Sequence, residues 1–286
     1  MPPDPRAVES LLAFWTACGV DTLYGETPVD RTATPARSAL ARPVAPAAGL
    51  RRIDPPSQVR SRPVDAGPVG AGAASNDTGP SVEAVAEARR AADAAGDLAA
   101  LKEAITAFDG CPLKNGARQA VFSRGRPDAP VMVIGEAPGA DEDIQGAPFV
   151  GRAGQLLDRM FAAAGLSERV FISNTVFWRP PGNRTPTPAE QALCAPFLER
   201  AIALVAPRAL LLVGGASAKA MLRRPEGILA LRGRWFEWRS DDGALEVPAL
   251  PTLHPAFLLR QPVAKRKSWE DLLILAERLD RPPRPD

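Results

Sequence analysis

The chain reads as an α/β protein, a three-layer α/β/α sandwich around a central, mostly parallel four-stranded sheet. Three observations predict this. Four strand-like apolar segments each end in a polar or glycine-rich tip: Val131 to Ile134 into Gly135-Glu136-Ala137-Pro138-Gly139, Val170 to Ile172 into Ser173-Asn174, Leu210 to Val213 into Gly214-Gly215, and Val247 to Leu253 into His254-Pro255. Helix-like stretches separate them, and strands alternating with helices imply a parallel sheet. The roughly 190 residues from Ser81 onward are enough for one well-buried domain of this class. Parallel sheets place ligand sites at the carboxyl ends of their strands. Glu136, Asn174 and His254, the single histidine of the 286 residues, therefore converge on one cleft.

Taken in order, residues 1–25 carry Val8, Leu11, Leu12, Trp15 and Cys18 at helical spacing, which predicts an amphipathic helix. A helix this short is marginal alone in water and needs a surface to dock on. Residues 26–80 are rich in Pro, Ala, Gly and Arg, with no sustained apolar period. Such a segment cannot bury enough surface to offset its ordering entropy, and it reads as a disordered linker. Ser81 caps a leading helix over 81–96, and Asp97 opens both the main domain, 97–280, and a second helix that runs to Phe108. Residues 281–286 are a tail. Gly151-Arg152-Ala153-Gly154 leads into an amphipathic helix from Leu156 to Ala164, ended by Gly165. Thr187-Pro188 starts another that carries Cys194, Phe197 and Leu198 inward. Gly214-Gly215-Ala216-Ser217 turns the third strand into a helix whose first amide groups suit an anion. Trp235 to Trp238 and Val247 to Leu253 form a hairpin leading to the His254 tip, and Ser268 caps a last helix to Leu279.

Composition narrows the function classes. A formal net charge of +2 does not by itself mark a nucleic-acid binder. However, Arg223, Arg224, Arg232, Arg234, Arg260, Lys265, Arg266 and Lys267 crowd the C-terminal third, where a phosphate-binding face would draw its charge. Three separated cysteines argue against a disulfide framework and for a reducing compartment. No apolar run reaches the roughly 18 residues that span a bilayer. The segment from Leu11 to Cys18 lacks the basic flank of an export signal, so the expected location is the cytoplasm.

The Gly135 to Gly139 loop lacks both the Gly-Lys-Ser/Thr ending of a phosphate-binding loop and the spacing of a dinucleotide fingerprint, which sets aside a triphosphate site. Three further segments join it: Ala147-Pro148-Phe149-Val150-Gly151-Arg152-Ala153-Gly154, Asn174 with Arg179-Pro180-Pro181-Gly182-Asn183-Arg184, and His254-Pro255-Ala256-Phe257-Leu258-Leu259-Arg260. Together they resemble the uracil-DNA glycosylases of family 4, over about Asp97 to Leu279. The resemblance implies a monofunctional hydrolase that removes uracil from single- or double-stranded DNA in base excision repair. By the same resemblance, Phe149 stacks on the base, Asn174 pairs with its O4 and N3, and the Ala137 amide helps hold it. His254 donates to O2, Glu136 is the carboxylate near the sugar, and Asn183 positions water. Leu258, among Phe257-Leu258-Leu259, is placed to wedge into the gap left by a flipped base. Gly215, Ser217, Arg260, Lys265, Arg266 and Lys267 are placed to hold phosphates.

The chain departs from this family at its iron-sulfur ligands. Four cysteines are usual, and here Cys111 and Cys194 remain while Lys114 and Trp178 stand at the other two positions. Two thiolates do not supply four-cysteine ligation, so no cofactor is expected and Trp178 should fill the vacated space. The chain is expected to be a monomer with no membrane partner, its N-terminal helix docking on a replication or repair protein. A catalytically silent DNA-binding relative, and a glycosylase for another deaminated base such as hypoxanthine, are readings the same residues leave open.

Overall fold

The computed structural model describes residues 81–280. The predicted N-terminal helix, the linker and the tail lie outside the described residues. In chain order the helices and strands are α1 Val82–Ala94, α2 Leu98–Ala107, β1 Arg124–Gly125, β2 Val131–Gly135, α3 Ala140–Gln145, α4 Arg152–Ala163, β3 Val170–Asn174, α5 Pro188–Val205, β4 Ala209–Val213, α6 Gly215–Leu222, α7 Ile228–Leu231, β5 Phe236–Arg239, β6 Glu246–Thr252, α8 Pro255–Arg260 and α9 Lys265–Asp280.

The strands form one sheet in the order β1-β3-β2-β4-β6-β5. The parallel core is the expected one, β3, β2, β4 and β6. The sheet is six-stranded rather than four-stranded because β1 pairs antiparallel with β3 at one edge and β5 antiparallel with β6 at the other. A two-residue strand such as β1 carries no readable period, whereas β5 is the first arm of the predicted hairpin.

Alternation along the strands divides two cores. Met132, Ile134, Leu210 and Leu212 face α1, α2 and α5, while Val131, Val133, Leu211 and Val213 face α4 and α9. Both faces are buried, which is why the parallel strands read as unbroken apolar runs. Helix starts follow local chemistry. The Ser81 hydroxyl accepts the Ala84 amide at 3.0 Å, and the Asp97 carboxylate accepts the Ala100 amide at 2.8 Å. Thr187 and Glu190 form a reciprocal capping box around Pro188. The last helix corrects the sequence reading. It starts at Lys265, where a tight turn over Pro262–Ala264 already bends the chain, and Ser268 lies buried inside it with its hydroxyl unpaired.

One buried carboxylate fixes the end of β6. Asp271 on α9 accepts from Arg232 at 2.5 and 3.1 Å and from the Thr252 hydroxyl at 2.7 Å. Thr252 is two residues before His254. Removing one partner of a buried pair leaves the other uncompensated, so Asp271→Ala is expected to cost about 3 kcal/mol. In thermal denaturation this appears as a fall of roughly 10 °C in Tm for a domain of this size. A shift within about 2 °C would show that the carboxylate does not hold the strand end.

Candidate active site

The carboxyl ends of β2, β3 and β6 open into a cavity of about 600 Å³ lined by Glu136, Phe149, Asn174, Asn183, His254 and Arg260, among others. Each reaches it for a local reason. Gly135 pairs in register with Asn174. A Cβ on Gly135 would lie 2.3 Å from Asn174 Oδ1 and 2.6 Å from the Phe149 ring, so the missing side chain is what lets both groups share the floor. The Thr175 hydroxyl donates to the Glu136 carbonyl at 2.6 Å and ties the tips of β2 and β3 together.

Asn174 is 1% exposed, and its Oδ1 is buried with no hydrogen-bond partner. An orphaned acceptor costs roughly 1–3 kcal/mol until something donates to it. His254 caps α8 through Nδ1, which accepts the Ala256 amide at 3.1 Å. Because that nitrogen serves as acceptor, the proton of the neutral ring sits on Nε2. Burial, and secondarily the charge of Arg260, hold the imidazole down to a pKa of about 4 from 6.5, against a weaker opposing pull from Glu142. Gly214, at φ +95°, leaves room for the ring: an added Cβ would lie 3.0 Å from His254 Cβ. The Phe149 ring stands 5.7 Å from the imidazole, centre to centre.

The Glu136 carboxylate makes no hydrogen bond or ion pair among the described residues, and Ala137 lies beside it on the wall. Asn183, at φ +56°, lines the same cavity and accepts from Arg179 Nε at 2.7 Å through Oδ1. Arg260 is exposed at the rim.

Several predicted DNA contacts are placed elsewhere. Leu258 is fully buried against the α4 and α9 side of the sheet, because α8 turns that face inward; Phe257 lines the cavity and Leu259 is exposed. Ser217 is buried and its hydroxyl donates to the Ile134 carbonyl at 2.6 Å, so that side chain is not free for a phosphate, and Gly215 packs beside Ile228. Lys265 is 8% exposed. Arg266 is exposed and pairs with Glu270 at 3.3 Å, and the Lys267 carbonyl accepts from Arg232.

Around the cluster positions, Cys111 and Cys194 are both buried and share a thiol hydrogen bond, and burial pushes the Cys194 thiol well up. Lys114 Nζ turns to the Thr106 carbonyl at 2.6 Å and Asp109 at 2.7 Å. Trp178 is buried edge-on against Phe177. Among the described residues no group of three or more His, Cys, Asp or Glu side chains is set to hold a metal. These residues do not fit a four-thiolate cluster.

Arg124 and Glu142, which the motifs did not single out, also bear on the cleft, and Gly135 and Gly214 within their motifs do so by leaving room for their neighbours. Only close approach in space marks them out.

This sheet, with an amide, a neutral imidazole and a free carboxylate at its strand ends, defines an α/β enzyme that grips a planar, hydrogen-bonding group beside a bond to be broken. Residues 122–273 match the family described as the uracil DNA glycosylase superfamily, and the chain belongs to that superfamily. It is similar to the type-4 uracil-DNA glycosylase of Pyrobaculum aerophilum, with 39% identity over 62% of this chain and 92% of that protein. The type-4 uracil-DNA glycosylases of Sulfurisphaera tokodaii and Thermotoga maritima are 36% and 37% identical, over 63% and 56% of this chain and 84% and 82% of their own lengths.

The single histidine makes its state directly measurable. ¹⁵N NMR of tag-free protein should show the Nε2–H tautomer from pH 8 to pH 5, with protonation only near pH 4. A ring that titrates near 6.5 would contradict the buried, capped geometry. The sign for stability follows. Below 6.5 the unfolded chain takes up a proton that the folded one refuses until about 4, so acidification across that window favours unfolding.

Proposed function

We propose that this protein hydrolyses the N-glycosidic bond of deoxyuridine in DNA, releasing uracil and leaving an abasic site as the first step of base excision repair. The observation that carries this reading is the buried, unpartnered Asn174 Oδ1 on the cavity floor. Uracil N3–H is the donor it lacks, while cytosine N3 carries no proton and would leave the oxygen orphaned. A site built on a buried polar group rejects an analogue that cannot satisfy it.

Base excision requires the nucleotide to leave its stack and enter a pocket. Phe149 offers the face on which the ring stacks, and the Asn174 amide reads N3 and O4. As the C1′–N1 bond breaks, its electron pair moves onto the uracil ring and positive charge grows on the sugar. The fixed Nε2–H of neutral His254 donates to O2, in the manner of an oxyanion-hole donor. Glu136 stabilises the sugar cation and, with Asn183, orients the water whose oxygen bonds to C1′. Glu136 takes the proton that this water releases. Among the described residues the cavity lining includes no lysine, so an amine-dependent strand-cutting step has no nucleophile there.

Arg260 at the rim and the cavity-lining Phe257 are the better candidates for phosphate contact and for filling the stack, in place of Lys265 and Leu258. The reaction needs no cluster, and the buried Trp178 beside Phe177 supports apolar packing at one of the two positions where family members carry the missing ligands, while Lys114 at the other pairs with Asp109. Action in the cytosol, as a monomer that residues 1–25 tether to a replication or repair protein, completes the proposal. No described helix is long and apolar enough to cross a membrane.

Release of uracil from a labelled single-stranded oligonucleotide in EDTA tests the chemistry. Wild type should release it, and Asn174→Ala and His254→Ala should each slow single-turnover release by about 100-fold or more while folding normally. Folded, DNA-binding wild type that releases no uracil would point instead to another deaminated base or to a silent binding protein. Iron and acid-labile sulfide should be absent from anaerobically purified protein, and stoichiometric amounts of both would overturn the cluster-free reading.

A further inference from the structure

We propose that Arg124 and Glu142 form a two-sided clamp on the backbone around Phe149, and that both act on base excision through the position of that ring. The proposal rests on the uracil reading above and assigns two positioning residues to it.

The need for a clamp is visible in the backbone. Phe149 sits at φ +55°, a left-handed conformation that bulky L residues rarely adopt and that persists only where the surroundings over-determine it. Three elements impose it. On the preceding side, Arg124 Nε donates to the Pro148 carbonyl at 2.7 Å and its Nη2 to the Phe149 carbonyl at 3.2 Å, while Asp158 holds the guanidinium at 2.6 Å. On the following side, Glu142 Oε1 accepts the amides of Val150 and Gly151, both at 3.0 Å. The other oxygen of the same carboxylate accepts the Gly139 amide at 3.1 Å, which joins the Phe149 loop to the loop that carries Glu136. Behind the turn, Gly154 of α4 admits the Phe149 carbonyl so closely that an added Cβ would lie 1.6 Å from it.

The charges match the peptide groups. A cation takes the two carbonyls, an anion takes the two amides, and charge-assisted bonds of this kind are the strong ones. The ring is left with one place to stand, against Gly135 and 5.7 Å from His254. The clamp also gives β1 a purpose. This two-residue edge strand pairs with Phe171 and Ile172 of β3 and sets Arg124 beneath the loop.

The test is a double-mutant cycle on single-turnover uracil release and on KM, using the full chain. Arg124→Ala and Glu142→Ala are each made with Phe149 present and in a Phe149→Ala background. With Phe149 present, each should lower the release rate by about 10- to 100-fold; with Phe149→Ala, Arg124→Ala should change it by less than about 3-fold and Glu142→Ala, which also frees the Gly139 amide, by at least about 3-fold less than it does with Phe149 present, since residues that act through a third show non-additive effects. Equal losses in the two backgrounds would overturn the clamp. If Phe149→Ala itself costs nothing, the stacking role fails and the clamp with it, whereas wild type that releases no uracil is the separate failure of the functional reading. Arg124→Lys and Glu142→Gln guard against loss of the fold. Lysine keeps the charge without the fork and should recover only part of the rate, and glutamine keeps one acceptor oxygen but sets a donor against the Gly139 amide. Full rates in both conservative variants would also sink the proposal.

Discussion

The register between β2 and β3 sets Gly135 directly opposite Asn174, and the cleft is built outward from that pair. A parallel ladder brings the carboxyl ends of neighbouring strands to one level, so loops that leave them must share a small volume. Here the sharing is possible because residue 135 has no side chain. The Asn174 amide and the Phe149 ring occupy the space a Cβ would take. Gly214 repeats the device at the tip of β4, where its positive φ and bare α-carbon make room for His254. The polar groups that define the site are thus admitted by glycines and fixed by bonds from neighbouring elements.

The site holds its working groups in states that water would not choose. Asn174 Oδ1 is buried unpaired, the imidazole is kept neutral well below its ordinary range, and Phe149 and Asn183 both sit at positive φ. Strained backbone of this kind costs on the order of 1–3 kcal/mol per residue. Such costs are sustained by rigid surroundings: the Asp271, Arg232 and Thr252 network behind β6, the Thr175 tie between β2 and β3, and the Glu142 carboxylate bridging two loops. Preorganisation of donors and acceptors means that little has to reorient as charge develops, which is where electrostatic catalysis gains most.

On the other face, the segment leading to the Asn183 loop is anchored by apolar contacts. Phe122, Phe177, Trp178, Phe197 and Phe108 form a chain of edge-to-face rings, with Cys111 and Cys194 buried among them. The Val121 amide adds a bond to the Phe177 carbonyl at 2.7 Å. Aromatic pairs of this geometry contribute about 0.5–1.5 kcal/mol each beyond the area they bury. They give the loop a rigid root without calling on Lys114, whose ammonium group is held by Asp109 and the Thr106 carbonyl.

The sequence by itself determined the α/β class, the parallel four-strand core, the caps at Ser81, Asp97 and Thr187, and the placing of Glu136, Asn174 and His254 at strand tips. These depend on periodicity and local chain chemistry, which are written in consecutive residues. Only the tertiary structure decided which residues of an amphipathic or basic stretch face inward. Leu258, Ser217 and Lys265 carry the right side chains for DNA contact and lie buried, because the rotation of a short helix is set by the sheet it packs on. The same holds for Arg124 and Glu142, which approach the Phe149 loop from a separate strand and a separate helix. Their role rests on hydrogen bonds to backbone groups, which have no residue identity, so no motif could mark them.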